Sequence, residues 1–382
     1  MNPGAALRIA AIDPYFGGSH RHFLVDLQRH SRHRIELFTL APRMWKWRVR
    51  GSALHLARQL NTAATGAPHA PLFDVFLCSD FVNLPDLRAL LEPELRTVPV
   101  LYYMHENQMT YPLSPDEEFD PYFGFTNVLS CLSAETVAFN SEFHRREFLT
   151  RLPGFLPRLP DYEPRWVVDT IAAKAEVLPL GLDVAELDGL RPQSGAAPDH
   201  APPHILWNHR WEFDKRPEMF FAALERLASE GVRFIADVVG ESFARRPAVF
   251  ESARERLGDR LGHFGWIESR EEYVRLLHTE DVAVSTASQE FFGIALAEAT
   301  LCGAHPIAPR ALVYEELYGG ACERHHLYED EAGLTELLRQ ALTSPRPSHE
   351  CRLAQRLREF DWSRVAPRFD ARFESLAEIR TA

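Results

Sequence analysis

The chain has 382 residues, of which 46% are hydrophobic and 25% are charged, and its formal net charge at pH 7 is −12. This composition is typical of a globular protein with a large core, and it excludes a disordered chain or a fibrous repeat. The length exceeds the roughly 250 to 300 residues that one hydrophobic core fills, so we expect two domains, and the acidic total argues against a general nucleic-acid binder.

The charge is unevenly distributed along the chain. Residues 1–180 carry 18 basic and 20 acidic residues, whereas the remainder carries 24 and 34. Within the first half, the segment from Arg21 to Arg58 holds nine basic residues against two acidic ones, a net charge of +7. Lysine is rare, so Lys46, Lys174 and Lys215 stand out in an arginine-rich background.

Neither a membrane segment nor a disulfide framework is predicted. The apolar runs fall far below the ~20 residues that a membrane-spanning helix requires, and the N-terminus lacks the cationic start and long apolar stretch of a signal peptide. The five cysteines are scattered and include no Cys-x-x-Cys pair, which argues against a zinc site. We therefore expect a cytoplasmic protein.

Short apolar runs of β-type composition alternate with helix-length segments in the first half. We predict strands at 7–12, 35–40, 73–78, 98–104 and 136–139. This alternation is typical of a parallel sheet covered by helices. The sequence therefore predicts an α/β protein whose first Rossmann-like domain spans residues 1–188.

Paired glycines follow the first predicted strand. Gly17 and Gly18 open the first strand-to-helix loop, where the backbone often approaches a phosphate or a sugar closely. The alternative is an ordinary turn that binds no ligand.

Cations and indole rings interleave in the next segment, residues 43–50. Such a combination is suited to gripping phosphates while stacking on unpaired bases. Two alternatives stay open: a membrane-surface patch anchored by tryptophans, and buried tryptophans beside solvated arginines. The candidate RNA-binding residues are Arg43, Trp45, Lys46, Trp47, Arg48 and Arg50.

Four polar residues, His105-Glu106-Asn107-Gln108, follow the predicted strand at 98–104. They lie at the carboxyl end of a parallel strand, where α/β folds bind ligands. His105 could contact a sugar hydroxyl or act as an acid or base. The alternative is a histidine with a purely structural role.

A proline-rich segment separates the two halves. Residues 189–203 contain four prolines and almost no apolar periodicity, which predicts an interdomain linker. The strand pattern then restarts at 204–207, 234–239, 260–264, 282–285 and 305–308, so we expect a second Rossmann-like domain over 204–382. Its last segment, 362–379, has helical spacing and could pack on either domain.

Two charged clusters stand out in this second domain. Arg210 and Lys215 follow its first strand. The guanidinium of Arg210 could bind a leaving diphosphate through two hydrogen bonds, and the ammonium of Lys215 could supply a point charge. Glu290 and Glu298 are eight positions apart, and a helix beginning near Gly293 would direct its N-terminal amides to the same crevice as Glu290. The alternatives are a surface ion pair of Lys215 with Asp214 or Glu218, and two solvated helix glutamates.

Together these motifs resemble a known family. The series 209–215, 239–241, 264–266 and 290–303 resembles the retaining glycosyltransferases of family 4, which have the GT-B fold of two Rossmann-like domains facing each other across a cleft. More narrowly, the motifs at 15–20, 45–48, 105–108, 139–141 and 209–211 are similar to the tRNA-queuosine α-mannosyltransferase family. That likeness covers nearly the whole chain.

The resemblance implies transfer of mannose from GDP-mannose, with retention of configuration, to queuosine at the wobble position of tRNA for aspartate. It implies that Glu290 contacts the donor hexose, that Glu298 contacts the ribose, and that Arg210 and Lys215 hold the diphosphate. With His105, these make up the catalytic and donor set, and the remaining donor-binding positions implied are Gly17, Gly18, Gly240, Glu241, Phe292, Gly293 and Ile294.

Two residues depart from the broad family pattern. Phe291 stands where a glycine is usual after the first glutamate, and Trp211 stands where a small aliphatic residue is usual after the motif arginine. Neither change touches the carboxylates or the cations.

We therefore expect a metal-independent glycosyltransferase that uses no cofactor, with GDP-mannose as its donor substrate, because Arg210, Lys215 and the helix dipole neutralise the departing diphosphate. Its partners would be queuosine-containing tRNA and the nucleotide-sugar, without stable membrane association.

If the reaction inverted instead, His20 or His105 would be the candidate base. The rivals are a GT-B enzyme acting on a lipid or polysaccharide at a membrane surface, and a non-catalytic nucleotide-sugar- or RNA-binding module.

Overall fold

A computed structural model describes residues 6–65, 73–113, 118–192, 202–242, 247–320, 325–343 and 352–379. It divides into two compact units: the first comprises residues 1–181 with 362–382, and the second comprises residues 182–361. Of the predicted linker 189–203, residues 193–201 lie outside the described residues.

The first unit contains a parallel six-stranded sheet of order β2-β1-β3-β4-β5-β6. The central strands β3, β4 and β5 are buried at every position, as expected of parallel strands covered on both faces. The five strands predicted for this half are present, and the sixth, β6, was missed because three residues are too few for periodicity to reveal. The strands are β1 (Arg8–Asp13), β2 (Arg34–Thr39), β3 (Val75–Ser79), β4 (Val100–Met104), β5 (Thr136–Phe139) and β6 (Ala175–Val177).

Helices connect these strands and bury their apolar faces on the sheet. Two of them begin with a carboxylate or hydroxyl cap that satisfies a free backbone amide: Asp120 accepts from the N–H of Tyr122, and Ser141 accepts from the N–H of His144. The helices are α1 (Gly18–His30), α2 (Trp45–Thr65), α3 (Leu84–Leu90), α4 (Pro93–Arg96), α5 (Pro121–Ser133), α6 (Glu142–Phe155) and α7 (Val167–Ala172).

The second unit contains another parallel six-stranded sheet, of order β12-β11-β10-β7-β8-β9. Its five predicted strands are present, and the two-residue β12 was again too short to predict. In chain order the elements are α8 (Val184–Gly189), β7 (His204–Asn208), α9 (Pro217–Ser229), β8 (Ile235–Val239), α10 (Val249–Leu257), β9 (Leu261–Gly265), α11 (Arg270–Leu277), β10 (Val282–Val284), α12 (Ile294–Cys302), β11 (His305–Pro309), α13 (Tyr314–Tyr318), β12 (Leu327–Tyr328), α14 (Glu331–Thr343) and α15 (Leu353–Leu357).

The last helix, α16 (Trp362–Ile379), belongs to the first unit. Its apolar face packs on α1, where the rings of Phe23 and Phe369 lie 5.5 Å apart. At the end of α1, the hydroxyl of Ser31 donates to Asp370. The chain therefore returns to its first unit after completing the second.

Two further expectations can be compared with the described residues. Among them, no helix combines the length and the apolar character needed to cross a bilayer. Cys78, Cys131 and Cys302 are buried free thiols, whereas Cys322 and Cys351 lie outside the described part of the chain.

Candidate active site

Lys215 and Glu290 meet at the carboxyl edge of the second sheet. Lys215 ends a short 3-10 turn after β7 and is 7% exposed. Its Nζ donates to the carbonyl of Gln289 at 2.8 Å and lies 3.1 Å from Asp214 Oδ2 and 3.5 Å from Glu290 Oε2. The pairing of Lys215 with Asp214 was foreseen as a surface contact, but in the structure it is buried and shared with Glu290.

Backbone contacts between two loops fix this arrangement. The hydroxyl of Thr286 donates to the carbonyl of Lys215 at 2.6 Å. Both the N–H and the hydroxyl of Ser288 donate to the carbonyl of Asp214, at 2.7 and 2.9 Å. The loop after β7 is thereby tied to the loop after β10, so the positions of Lys215 and Glu290 are set by the scaffold.

The electrostatics keep this pair ionised. Burial alone would lower the pKa of Lys215, but Glu290 and Asp214 outweigh it and the pKa is raised. Burial alone would raise the pKa of Glu290, but Lys215 and His209 outweigh it and the pKa is lowered. Burial and the Lys215 charge lower the pKa of His209 to about 4, so the site holds the Lys215 cation and the Glu290 carboxylate beside a neutral imidazole at pH 7.

Helix α12 begins four residues after Glu290. Gly293 precedes the helix with φ +77° and ψ 48°, a left-handed conformation that favours glycine. Gly293 has no side chain with which to cap this helix start, and the N–H groups of a first helical turn form a favourable site for an anion. Glu290 Oε1 accepts the N–H of Phe291 at 3.1 Å, and Phe292 is buried against Phe360. The residues predicted around Ile294 are therefore brought together with Glu290.

Gly240 and Glu241 lie against the turn that follows β7. A Cβ at Gly240 would fall 1.8 Å from the carbonyl oxygen of His209, so this close approach requires glycine. The N–H of Trp211 donates to the carbonyl of Glu241 at 2.9 Å. The Trp211 ring is buried and stacks on Phe250 at 4.1 Å, which explains its departure from the family pattern: it fills the core of the unit.

Arg210 has a different environment from Lys215. Its side chain is 46% exposed and pairs with Glu212 at 3.1 Å. It lies close enough for its charge to oppose the raised pKa of Lys215. An exposed guanidinium beside a buried ammonium offers two cations of different exposure at one edge of the sheet.

Glu298 lies one turn further along α12 and is held by an arginine that the sequence analysis missed. Arg270 donates to both carboxylate oxygens of Glu298, at 3.1 and 2.6 Å, and its Nε donates to Glu186 at 2.9 Å. This fork geometry is a strong way to hold a buried carboxylate. The only sequence signal for it is the helix start at Ser269, whose side chain caps α11.

Asn208 was also missed, although it ends β7 at the carboxyl edge. Its side-chain amide donates to the hydroxyl of Tyr273 and to the carbonyl of Ala295, both at 2.9 Å. These bonds anchor the first turn of α12 to the central strand of the sheet, and so they support the position of Gly293.

The carboxyl edge of the first sheet holds a separate cluster around His105. His20 Nδ1 lies 2.8 Å from Asp13 Oδ2, and its ring stacks on His105 at 4.1 Å. Burial alone would lower the pKa of His20, but Asp13 raises it to about 9, whereas burial and the His20 charge hold the pKa of His105 well below 6.5. The N–H of His105 donates to Asp80. The cluster therefore combines one imidazolium with one neutral imidazole.

Gly17 and Gly18 begin α1 beside this cluster. A Cβ at Gly17 would fall 2.5 Å from atoms of the Pro42 side chain, and Gly18 has φ +49°. The contact with Pro42 thus requires glycine at 17 and the left-handed backbone favours glycine at 18, whether or not a ligand binds there. They and His105 lie in the first unit, whereas the other predicted donor residues lie in the second.

The two tryptophans of the basic segment have different environments. Trp45 is half-buried, and its ring lies 4.9 Å from that of Phe123, whereas Trp47 is 60% exposed. Arg50 lies over the ring of Tyr122 and pairs with Asp120. The alternative of buried tryptophans therefore fits Trp45 in part and does not fit Trp47.

The four cations of the segment also differ. Arg43, Lys46 and Arg50 are exposed, and Arg48, which is half-buried, donates from Nε to the carbonyl of Ala41 at 3.3 Å. They lie in the loop before α2 and in its first turns. The structure therefore places three exposed positive charges on one short stretch of the first unit.

Comparisons with known sequences identify both halves of the chain. The profile described as tRNA-queuosine alpha-mannosyltransferase N-terminal matches residues 8–182, and the profile of glycosyl transferases group 1 matches residues 194–357. The tRNA-queuosine alpha-mannosyltransferase of Drosophila melanogaster is 36% identical over 343 residues, 88% of each chain. A GDP-mannose-dependent alpha-(1-6)-phosphatidylinositol dimannoside mannosyltransferase of Mycobacterium tuberculosis is 26% identical over 262 residues, 66% of this chain and 61% of that protein.

Solved structures agree on the fold. A sucrose-phosphate synthase from Thermosynechococcus elongatus has a TM-score of 0.71 at 17% identity, over 98% of this chain and 100% of that chain. The Anabaena HepE protein in complex with UDP has a TM-score of 0.67 at 17% identity, over 97% and 100%. The two parallel six-stranded sheets with their helices are those of GT-B glycosyltransferases.

Proposed function

The chain belongs to the tRNA-queuosine α-mannosyltransferase family and is a glycosyltransferase, and from this premise we propose that it transfers mannose from GDP-mannose, with retention, to queuosine in the anticodon of tRNA for aspartate. The observation that carries the proposal is the buried pair of Lys215 and Glu290 beside the uncapped start of α12. It supplies a cation and amides for a diphosphate next to a carboxylate for a sugar.

The chemistry of glycosyl transfer explains why such a pair is useful. As the bond from the sugar to the diphosphate breaks, negative charge grows on the diphosphate and positive charge grows at the anomeric carbon. Lys215 and the α12 amides would stabilise the first charge, and Glu290 would stabilise the second. Because the protein already fixes these groups, they need not reorganise during the reaction.

The remaining roles follow the same division. Arg210 would reach the diphosphate from solvent, and the Glu298 carboxylate, held by Arg270, would accept the ribose hydroxyls. In a front-face reaction the departing diphosphate takes the proton of the queuosine hydroxyl as the new bond forms, so no separate base is required. His105 would bind a sugar hydroxyl as a neutral imidazole, consistent with its lowered pKa.

The acceptor would be held by the basic segment of the first unit. Exposed Arg43, Lys46 and Arg50 would contact phosphates, and the exposed ring of Trp47 would stack on an unpaired base. This local positive charge resolves the conflict between an acidic protein and a polyanionic substrate. We propose that the enzyme is cytoplasmic, as its tRNA substrate is.

Mass spectrometry of tRNA nucleosides tests the proposal. Queuosine-containing tRNA for aspartate is incubated with the enzyme in three separate reactions, which contain GDP-mannose, UDP-glucose or UDP-galactose. The nucleosides are then released from each tRNA sample. We expect a hexosylated queuosine with GDP-mannose alone. Queuosine-free tRNA and the Glu290→Gln variant are the matched controls. Transfer from another nucleotide-sugar, or to tRNA without queuosine, would overturn the assignment of substrates.

We also propose that transfer needs no metal ion, since Lys215, Arg210 and the helix start can together neutralise the diphosphate. Full activity is expected in EDTA. A strict requirement for added magnesium or manganese would contradict the proposed role of Lys215 and Arg210.

A second candidate acceptor is a lipid or polysaccharide at a membrane surface. It is favoured by the exposure of Met44 (74%) and Trp47 (60%) beside Lys46, a combination that suits an interface, and by the mycobacterial relative. Gel shift with tRNA and sedimentation with anionic vesicles distinguish the two. Binding to vesicles but not to tRNA would favour the lipid acceptor.

A further inference from the structure

A histidine and two carboxylates converge at the amino-terminal edge of the second sheet, opposite the edge that holds Lys215 and Glu290. His204 begins β7, Asp237 lies in β8, and Glu280 precedes β10. One ligand atom from each residue lies within 4.8 Å of the others. The strands β10, β7 and β8 are adjacent in the sheet in that order, and Glu280 lies two residues before β10.

Contacts with His204 and His263 hold Asp237 in place. His204 Nδ1 lies 2.8 Å from Asp237 Oδ2, and the N–H of His263 donates to Asp237 Oδ1 at 2.6 Å. A Cβ at Gly262 would fall 2.4 Å from Asp237 Oδ1. Gly262 therefore leaves the space that this buried carboxylate occupies.

Glu280 is the unexplained member of the cluster. It is 4% exposed, and neither of its carboxylate oxygens accepts a hydrogen bond from an N–H or O–H group of the described residues. Burying a carboxylate without such donors is unfavourable unless its charge is neutralised. Without a bound ion, burial and the Asp237 charge raise the pKa of Glu280 to about 9, so a proton is the competing occupant.

We propose that His204, Asp237 and Glu280 bind a divalent cation of the Zn²⁺ or Mn²⁺ class. One imidazole nitrogen with two carboxylates is a donor set that both ions accept, and two ionised carboxylates balance a charge of +2. The His204 side chain is 37% exposed, which leaves an approach from solvent and room for water ligands. The ion would join three adjacent strands, so its role is structural and does not depend on the proposed transfer reaction.

Cation binding to the full chain tests this site directly. EDTA-treated protein is titrated with Zn²⁺ and with Mn²⁺ by calorimetry, and with Co²⁺ by visible absorption. We expect one saturable ion per chain and a higher melting temperature with the ion bound. Glu280→Gln, which removes a buried charge and should fold, is expected to weaken binding at least tenfold. His204→Gln should do the same, whereas Asp259→Asn, a change at an exposed carboxylate, should bind as the original chain does.

Two results would overturn the proposal. One is the absence of saturable binding, which would leave a shared proton as the occupant of the carboxylate pair. The other is equal binding by Glu280→Gln, His204→Gln and the original chain, which would place the ion on other histidines. Because no donor or tRNA is present in the titration, either result leaves the proposed mannosyl transfer untouched.

Discussion

The two units carry their functional charges in opposite environments. In the second unit, Lys215 is 7% exposed and is surrounded by Asp214 and Glu290. In the first unit, Arg43 and Lys46 lie on the surface. A buried, fixed charge is suited to a small ligand whose charge changes during the reaction, whereas exposed cations are suited to a large polyanion that releases counterions on binding. The contrast predicts that the two regions govern different kinetic constants.

The largest effect is expected at the buried pair. Glu290→Gln and Lys215→Ala should each lower kcat by about 100-fold or more, because each group stabilises charge that develops as the bond breaks. Transfer rates and thermal unfolding are measured together. Glu218→Gln, which changes an exposed carboxylate close to Lys215 in sequence, is the matched control. Turnover near that of the original chain in either variant, with the fold intact, would remove this pair from the reaction.

Replacing the exposed cations should change the apparent KM for tRNA and not kcat. Replacing Arg43, Lys46, Arg48 and Arg50 by alanine should raise the apparent KM for tRNA strongly and leave the donor constant unchanged. Each lost phosphate contact should reduce the slope of log affinity against log salt by roughly one unit at most.

The structure sharpens this prediction. The Asp120 carboxylate offsets the charge of Arg50, and Arg48 is half-buried whereas Arg43 and Lys46 are exposed. The Arg43/Lys46 double variant should therefore lose more salt dependence than the Arg48/Arg50 pair. Arg226 and Arg256, exposed in the second unit, provide a control double variant. Equal slopes for all of these proteins would separate the basic segment from RNA binding.

A smaller effect is expected at Glu298. Glu298→Gln should weaken donor binding by roughly 10-fold, in the range of one charged hydrogen bond, with less effect on kcat, because ribose contacts exist before the reaction begins. Arg270→Ala should also weaken donor binding, since it leaves the buried Glu298 carboxylate without its arginine partner. Calorimetry with GDP-mannose and steady-state kinetics measure the two constants, and a change confined to kcat would contradict the ribose role.

The histidine cluster of the first unit predicts a pH effect on stability. The pKa of His20 is raised from 6.5 to about 9, so its contribution is complete below pH 6.5 and is lost as the pH rises to 9. The loss should be about 1 to 3 kcal/mol. Melting curves across this range should show the decline, and His20→Gln should flatten it. An unchanged decline in that variant would assign it to other groups, among them Asp80, whose pKa is raised to about 8 by burial.

The smallest effects should distinguish the two tryptophans. Trp45→Ala removes a half-buried ring and should cost about 1 to 3 kcal/mol of stability, whereas Trp47→Ala should stay within about 0.5 kcal/mol. Both should lower tRNA affinity without flattening the salt dependence if the rings stack on bases. Chemical denaturation and gel shift give the two quantities, and a stability loss at Trp47 equal to that at Trp45 would contradict the packing described.

The sequence revealed much of the fold and the centre of the site for a simple reason. The carboxyl ends of parallel strands share one edge of a sheet, so the polar residues after β7 and β10 could be expected to meet, as Lys215 and Glu290 do. The helix start at Gly293 was likewise visible as a glycine before an apolar run. Short strands such as β6 carry too few residues for a pattern.

Contacts between distant segments could not be read in the same way. Arg270 precedes Glu298 by 28 positions, and no local spacing links the two. His20 lies in the first turn of α1 and His105 directly follows β4, and only the packed structure shows that their rings stack. Trp211 was noted as an unusual residue, but its role in the core appears only with its stacking on Phe250.

Separate binding measurements test the division between the units most directly. The affinities for GDP-mannose and for queuosine-containing tRNA are determined for the original chain, for Glu298→Gln and for the variant lacking the four cations Arg43, Lys46, Arg48 and Arg50. We predict that the four-cation variant loses tRNA affinity and keeps its affinity for GDP-mannose, and that Glu298→Gln does the reverse. A four-cation variant that binds tRNA normally, or that loses GDP-mannose instead, would contradict the account.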